Sequence, residues 1–225
     1  DVNNNYGLNG ENVILGIVDT GIDFNHPDFK NTNGTTRILY LWDQSNSNGP
    51  NPNPFSYGTE WNASQINNGT CNATDNMGHG SHVAGIAGGN GKGTGNGVSE
   101  GTYVGMAPKS DFVIVKLKTP INQSDIVDGV MYIVQKAVSV NKPWIVNLSL
   151  GSKWGPKDGT SIFESMLTAI VNDPISGKGK IIVVSAGNEG YVAGVSDPNM
   201  FKENKYHSRS CKTRNRCQRS YYQEN

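Results

Sequence analysis

A carboxylate, an imidazole and a side-chain amide stand at three glycine-flanked turns of this 225-residue chain: Asp19 in Asp19-Thr20-Gly21, His79 in Gly78-His79-Gly80, and Asn188 in Gly187-Asn188. Each residue type has a chemical use. A histidine held by a carboxylate is a general base with an orienting partner. An amide N–H aimed at a reacting carbonyl can stabilise a developing oxyanion. Each also has a bland reading, as a turn Asp, a structural His or a turn Asn next to glycine. His79 and His82 share one helix face at metal-ligand spacing, but the Glu of an H-E-x-x-H pair is lacking and no third ligand follows.

The elements that must position these groups are legible as periodic runs. Val13–Asp19, Arg37–Trp42, Phe112–Leu117, Trp144–Leu150 and Lys180–Ser185 read as strands, rich in β-branched residues. His79–Gly88 reads as a short helix, and another is expected from a Ser124 cap to about Val140, with a third over Thr160–Val171. Residues 44–70, rich in Asn, Ser, Gly and Pro, read as a surface excursion, and Asn90–Thr102 as a glycine-rich loop. Strands alternating with helices predict a parallel sheet covered on both faces. The continuous apolar runs FVIV and IIVV fit burial on both sides. In such sheets ligands bind beyond the carboxyl ends of the strands, which is where Asp19 and Asn188 fall.

Order and company sharpen the picture. Val18-Asp19-Thr20-Gly21-Ile22-Asp23 comes first, then His79-Gly80-Ser81-His82-Val83-Ala84-Gly85 and Gly105-Met106-Ala107-Pro108. Asn147-Leu148-Ser149-Leu150-Gly151 and Ser185-Ala186-Gly187-Asn188-Glu189-Gly190 complete the series. Five blocks in this order closely resemble the subtilisin-like serine peptidases, whose triad runs Asp, His, Ser along the chain. The resemblance implies an α/β three-layer sandwich with a mostly parallel sheet, here with the C-terminal part of the domain missing. It implies a serine endopeptidase acting on polypeptides. Asp19 matches the triad aspartate, His79 the general base and Asn188 the oxyanion donor. Ser149, Leu150 and Gly151 match the strand that pairs with substrate and walls the S1 pocket, with Ser185, Ala186 and Gly187 as the opposite wall. Asn147 and His82 match structural positions. Asp28, in His26-Pro27-Asp28, falls where a calcium ligand stands in secreted members, although Gly88–Gly101 does not resemble their calcium loop.

The nucleophile block of the family, a serine within a Gly-Thr-Ser-Met-Ala-like motif, does not occur among the 37 residues that follow Asn188. Gly159-Thr160-Ser161 mimics it out of order, and Thr160 or Ser161 is expected to be a helix cap. As written, the chain is therefore expected to be inactive. A subtilase fold without hydrolytic activity, used for peptide binding or regulation, is the alternative. Family-like sequence ends at about His207-Ser208, dividing the chain into a partial peptidase domain, 1–209, and an atypical basic tail, 210–225. Back-translated from Ser210 and read one base later, the tail permits Val-Val-Lys-Gln-Gly-Thr-Asp and then the strand-like Val-Lys-Gly-Val-Ile-Ile-Lys. A frameshift near Arg209 followed by early termination is the expectation. A phosphate-binding patch and a Cys211–Cys217 disulfide are the competing readings of this tail.

Composition agrees with that division. Formal net charge is zero, but four basic residues and one acidic one lie within 211–225. Residues 1–210 keep 15 of the 19 basic and 18 of the 19 acidic residues, a net of −3, and one of the three cysteines. A mildly acidic body is not a nucleic-acid binder. No run of about 18 apolar residues is present to span a membrane. The glycine-rich stretch fails the nucleotide-binding pattern, since Gly93 follows Lys92 where Ser or Thr is required. Few cysteines and the family resemblance lead to an expected extracellular, secreted location.

Overall fold

A computed structural model describes residues 6–95, 97–151 and 158–188, together with the backbone of two strands at 209–213 and 216–219. Six strands, β1 (Ile14–Asp19), β2 (Ile38–Asp43), β3 (Thr59–Asn62), β4 (Asp111–Lys116), β5 (Trp144–Leu148) and β6 (Lys180–Val184), form one sheet in the order β3-β2-β4-β1-β5-β6. Every pairing is parallel except β2 with β3. The helices are α1 (Ala63–Asn67), α2 (His79–Gly88), α3 (Gln123–Ser139) and α4 (Ile162–Asn172). Strands β7 (Arg209–Thr213) and β8 (Arg216–Arg219) pair antiparallel, with Cys211 opposite Cys217 in backbone register. No strand was read there from sequence. The other tail residues, like Glu189 and Gly190 beside Asn188, lie outside the described residues.

The period of two along each strand builds a core on both sides of the sheet. Ile14 and Val18 of β1, Val113 and Val115 of β4, and Trp144 and Val146 of β5 pack with Val127, Val130, Ile133 and Ala137 of α3 and Leu167 of α4. The alternate residues Leu15, Ile17, Phe112 and Ile114 face the other way, with Ala84 of α2 and Ile66 of α1. The result is the expected three-layer sandwich.

Two sequence readings change. Helix α3 begins one residue before Ser124, at Gln123, because the Asp125 carboxylate reaches back to the Asn122 N–H at 3.0 Å and closes the first turn. The excursion at 44–70 contains β3 and α1. Trp61 and Ile66 are buried there, and Asn62 caps α1 in a reciprocal box with Gln65 (3.0 and 2.9 Å).

One buried cation ties the elements together at the amino ends of the strands. Arg37 is 4% exposed, and its guanidinium donates to the carbonyls of Asp28 (2.9 Å), Gly88 (2.8 Å) and Ser110 (2.7 Å) while stacking over Phe112. Burial lowers its pKa to about 10 against the opposing pull of Asp111 and Asp28, so it stays charged at neutral pH. Arg37→Met is expected to leave the buried Gly88 and Ser110 oxygens without a donor and to cost about 3 kcal/mol. Urea unfolding should show a lower midpoint with an unchanged slope.

Candidate active site

Strand β1 lies in the middle of the sheet, where the strand order switches direction. The chain leaves β1 towards β2 on one side, and leaves β5 towards β6 on the other. A crevice at the carboxyl ends of the strands is expected at such a point. Asp19 is the last residue of β1 and is 1% exposed. His79 is the first residue of α2, and its side chain is 48% exposed.

The two meet. His79 Nδ1 lies 2.6 Å from Asp19 Oδ1. An ionised carboxylate only accepts, so the proton of this hydrogen bond belongs to Nδ1, which leaves Nε2 as the acceptor of a neutral ring. Asp19 Oδ1 also accepts the N–H of Thr20 at 2.7 Å, while Oδ2 is buried with no hydrogen-bond partner among the described residues.

The helix can approach the strand this closely because position 80 is glycine. A Cβ there would lie 2.1 Å from the Gly21 carbonyl oxygen, so backbone rests on backbone. Gly78, the residue before the helix, has φ 73°, and no side chain caps α2 from that position.

Two N–H groups of the first turn of α2, those of Gly80 and Ser81, are satisfied from elsewhere, by Thr20 and Asp75, which sequence reasoning missed. Asp75 Oδ1 accepts from the Gly78 N–H (2.9 Å) and the Thr20 hydroxyl (2.8 Å). Its Oδ2 accepts from the Ser81 N–H (2.8 Å) and hydroxyl (2.7 Å). Burial opposes the Asp75 charge, but the bonds from Ser81, Thr20 and Gly78 outweigh it and hold this carboxyl below its ordinary value. Its contribution to stability is therefore complete above the unfolded carboxyl's pKa of about 4 and is lost as pH falls through the lower folded value. The available signal was an acid just ahead of a helix whose N-cap is glycine.

The segments Ser149–Gly151 and Ser185–Gly187 also come together, as neighbours beyond β5 and β6. Ser185 N–H donates to Leu148 O at 3.0 Å, and Ser185 Oγ donates to Leu150 O at 2.8 Å. Ser149 Oγ accepts from Asn147 Nδ2 at 2.8 Å. Ser185 and Ala186 are exposed, Gly187 is half-buried with φ 91°, and Gly151 and Asn188 are exposed. Among the described residues, β6 is the last strand of the sheet on this side, with Ile181, Val183 and Val184 about half exposed.

Ser161 is the N-cap of α4: its Oγ accepts the Glu164 N–H and donates to the Glu164 carboxylate at 2.7 Å. Among the described residues no serine hydroxyl is hydrogen-bonded to His79. Asp28 Oδ1 accepts the Gly93 N–H at 2.5 Å and so tethers the glycine-rich loop. No group of three or more His, Cys, Asp or Glu side chains able to hold a metal occurs among the described residues. No helix among them is long and apolar enough to cross a membrane.

The model of the subtilase family (peptidase S8) matches residues 10–213. The chain belongs to the subtilase family. This subtilase chain is 31% identical over 188 residues to the major intracellular serine protease of Bacillus subtilis (strain 168), covering 82% of the chain and 45% of that relative. It is 32% identical over 188 residues to a subtilisin of Bacillus sp. (strain TA39), covering 82% of the chain and 36% of that protein. The chain thus spans less than half the length of either relative. The structure of the Clostridium perfringens CspB protease superposes with a TM-score of 0.68 at 31% identity, over 84% of this chain and 39% of that one. The relatives divide between compartments, since the minor extracellular protease Vpr of Bacillus subtilis (strain 168) also matches, at 28% identity over 82% of this chain and 18% of that protein. Likeness to relatives therefore does not carry the expected secreted location.

Proposed function

We propose that residues 1–209 are the Asp- and His-bearing part of a serine endopeptidase that hydrolyses polypeptides. The observation that carries this reading is the 2.6 Å bond between buried Asp19 and half-exposed His79. In it Asp19 fixes the tautomer, and His79 takes the proton from the attacking hydroxyl and returns it to the leaving amine. Asn188 donates to the oxyanion. Ser149–Gly151 and Ser185–Gly187 flank the P1 side chain, and the small residues among them leave room for a large one. The serine nucleophile is supplied by sequence that follows residue 209 in an uninterrupted reading frame.

The test begins with sequencing the gene across residues 205–225. The product of the uninterrupted frame and the 225-residue chain are then treated with a fluorophosphonate probe and with casein. Labelling and hydrolysis by the former alone are expected. A labelled serine within the 225-residue chain, or an uninterrupted product that is inert, overturns the reading. In the active product, Asn188→Ala is expected to lower kcat about 100- to 1,000-fold with little change in KM, because the lost bond forms only in the transition state.

A second reading, peptide binding without hydrolysis, is supported by one observation: the segments 149–151 and 185–187 are hydrogen-bonded to each other while no described serine engages His79. Saturable peptide binding by the folded 225-residue chain, from an intact gene with no further family sequence, supports this second reading.

A further inference from the structure

Four hydrogen bonds converge on a carboxylate outside the Asp19–His79 pair, and all four come from residues adjacent in sequence to one member of the pair or within two residues of it. Thr20 follows Asp19, Gly78 precedes His79, and Ser81 lies two residues beyond it. Asp75 accepts from all three. The two hydroxyls carry the linkage further. Thr20 Oγ1 donates to Asp75 and accepts the Gly80 N–H at 2.9 Å. Ser81 Oγ donates to Asp75 and accepts the Asp23 N–H at 2.7 Å. Each hydroxyl has one proton to give, and here it goes to the carboxylate, so the direction of every bond is fixed.

We propose that Asp75 is a positioning residue for the Asp19–His79 hydrogen bond, locking the turn after β1 to the start of α2. The proposal rests on the peptidase reading above. Asp19 and His79 belong to elements 60 residues apart in sequence and share a single direct side-chain bond. A shift of a few tenths of an ångström between β1 and α2 would lengthen that bond. Asp75 opposes the shift from both sides at once, because its two oxygens hold the strand turn and the helix start in one rigid group. Partial burial of the carboxylate and its charge strengthen these bonds. Asparagine cannot replace it: its one oxygen serves one side, and its NH2 group then confronts N–H and O–H donors on the other.

The experiment is NMR of the full 225-residue chain labelled with 15N at histidine. The wild-type chain is expected to show a far-downfield Nδ1 proton for His79 that is lost in Asp19→Asn. Asp75→Asn and Thr20→Val are expected to speed exchange of that proton with water at least about tenfold, the loosening of one charge-assisted bond. Thr20→Ser, which keeps the hydroxyl, should retain the wild-type rate. Ser161→Ala weakens a helix cap that belongs to α4, and it should lower resistance to urea without altering the exchange. Unchanged exchange in Thr20→Val and Asp75→Asn, or equal acceleration in Ser161→Ala, overturns the proposal. If Asp75→Asn does not fold, the contrast between Thr20→Val and Thr20→Ser decides. No downfield proton in the wild-type chain, or its survival in Asp19→Asn, refutes the Asp–His pair itself rather than the role of Asp75.

Discussion

His79→Ala in the proposed full peptidase is expected to lower kcat about a million-fold, the loss seen when a subtilisin is deprived of its histidine. That factor corresponds to roughly 8 kcal/mol of barrier. The size follows from what the ring does. A serine hydroxyl is a poor nucleophile at neutral pH, and it becomes a good one only as its proton leaves. With Nδ1 committed to Asp19 at 2.6 Å, the free lone pair on Nε2 is the one base the pair offers. Alanine removes both the base and the acid that later protonates the amine. Steady-state hydrolysis of a chromogenic peptide, corrected for the folded fraction by urea titration, measures the effect. Loss of less than about a hundredfold would mean that another group takes the proton.

Asp19→Asn is expected to cost about ten-thousand-fold in kcat while the fold is kept. Asparagine is isosteric, but its amide can turn an N–H towards Nδ1. The ring then carries its proton on Nε2 and cannot act as a base towards serine. The local environment sharpens the expectation. Asp19 Oδ1 already holds the Thr20 N–H, and buried Oδ2 has no partner among the described residues. Few dipoles dilute this charge, so much of it is available to the imidazolium that forms in the transition state. A pH–rate profile distinguishes the cause, because the variant should regain activity at high pH if the tautomer is at fault. A flat profile with a tenfold loss or less would contradict the assigned role.

Much of this could be read from residues alone. The run VILGIVD announced β1, and His79–Gly88 coincides with helix α2 to the residue. Such elements are legible because their periodicity is continuous and their ends carry glycine or a cap. Strand β3 and helix α1 were not, because Trp61 and Ile66 are isolated apolar residues among Asn, Ser and Gly. Their burial depends on pairing with β2 and packing under the sheet, which no local window contains. The reciprocal Asn62–Gln65 cap was a visible sign of α1 that went unused. In the site, Asp19 and His79 were legible through motif order. Asp75 was not, since its importance lies in where Thr20 sits, 55 residues away in sequence. Arg37 was hidden for the same reason: a lone arginine ahead of an apolar run looks like a solvated strand end, whereas its three carbonyl partners come from distant segments.

The backbone contact between Gly80 and Gly21 pins the start of α2, as the contact of Gly105 with the backbone of Gly85, Gly88 and Gly89 pins its end. Between these ends α2 meets the sheet through side chains such as Ala84, packing that yields when residues change size. The two backbone contacts do not yield, because peptide groups already touch and nothing can be trimmed from them. A drifting core that swells or shrinks between α2 and the sheet is therefore taken up by those side chains and leaves the first turn in place. The distance from His79 to Asp19 is insulated in this way from the volume of the interior, so a lineage can exchange most of its core residues and still keep the geometry of its base.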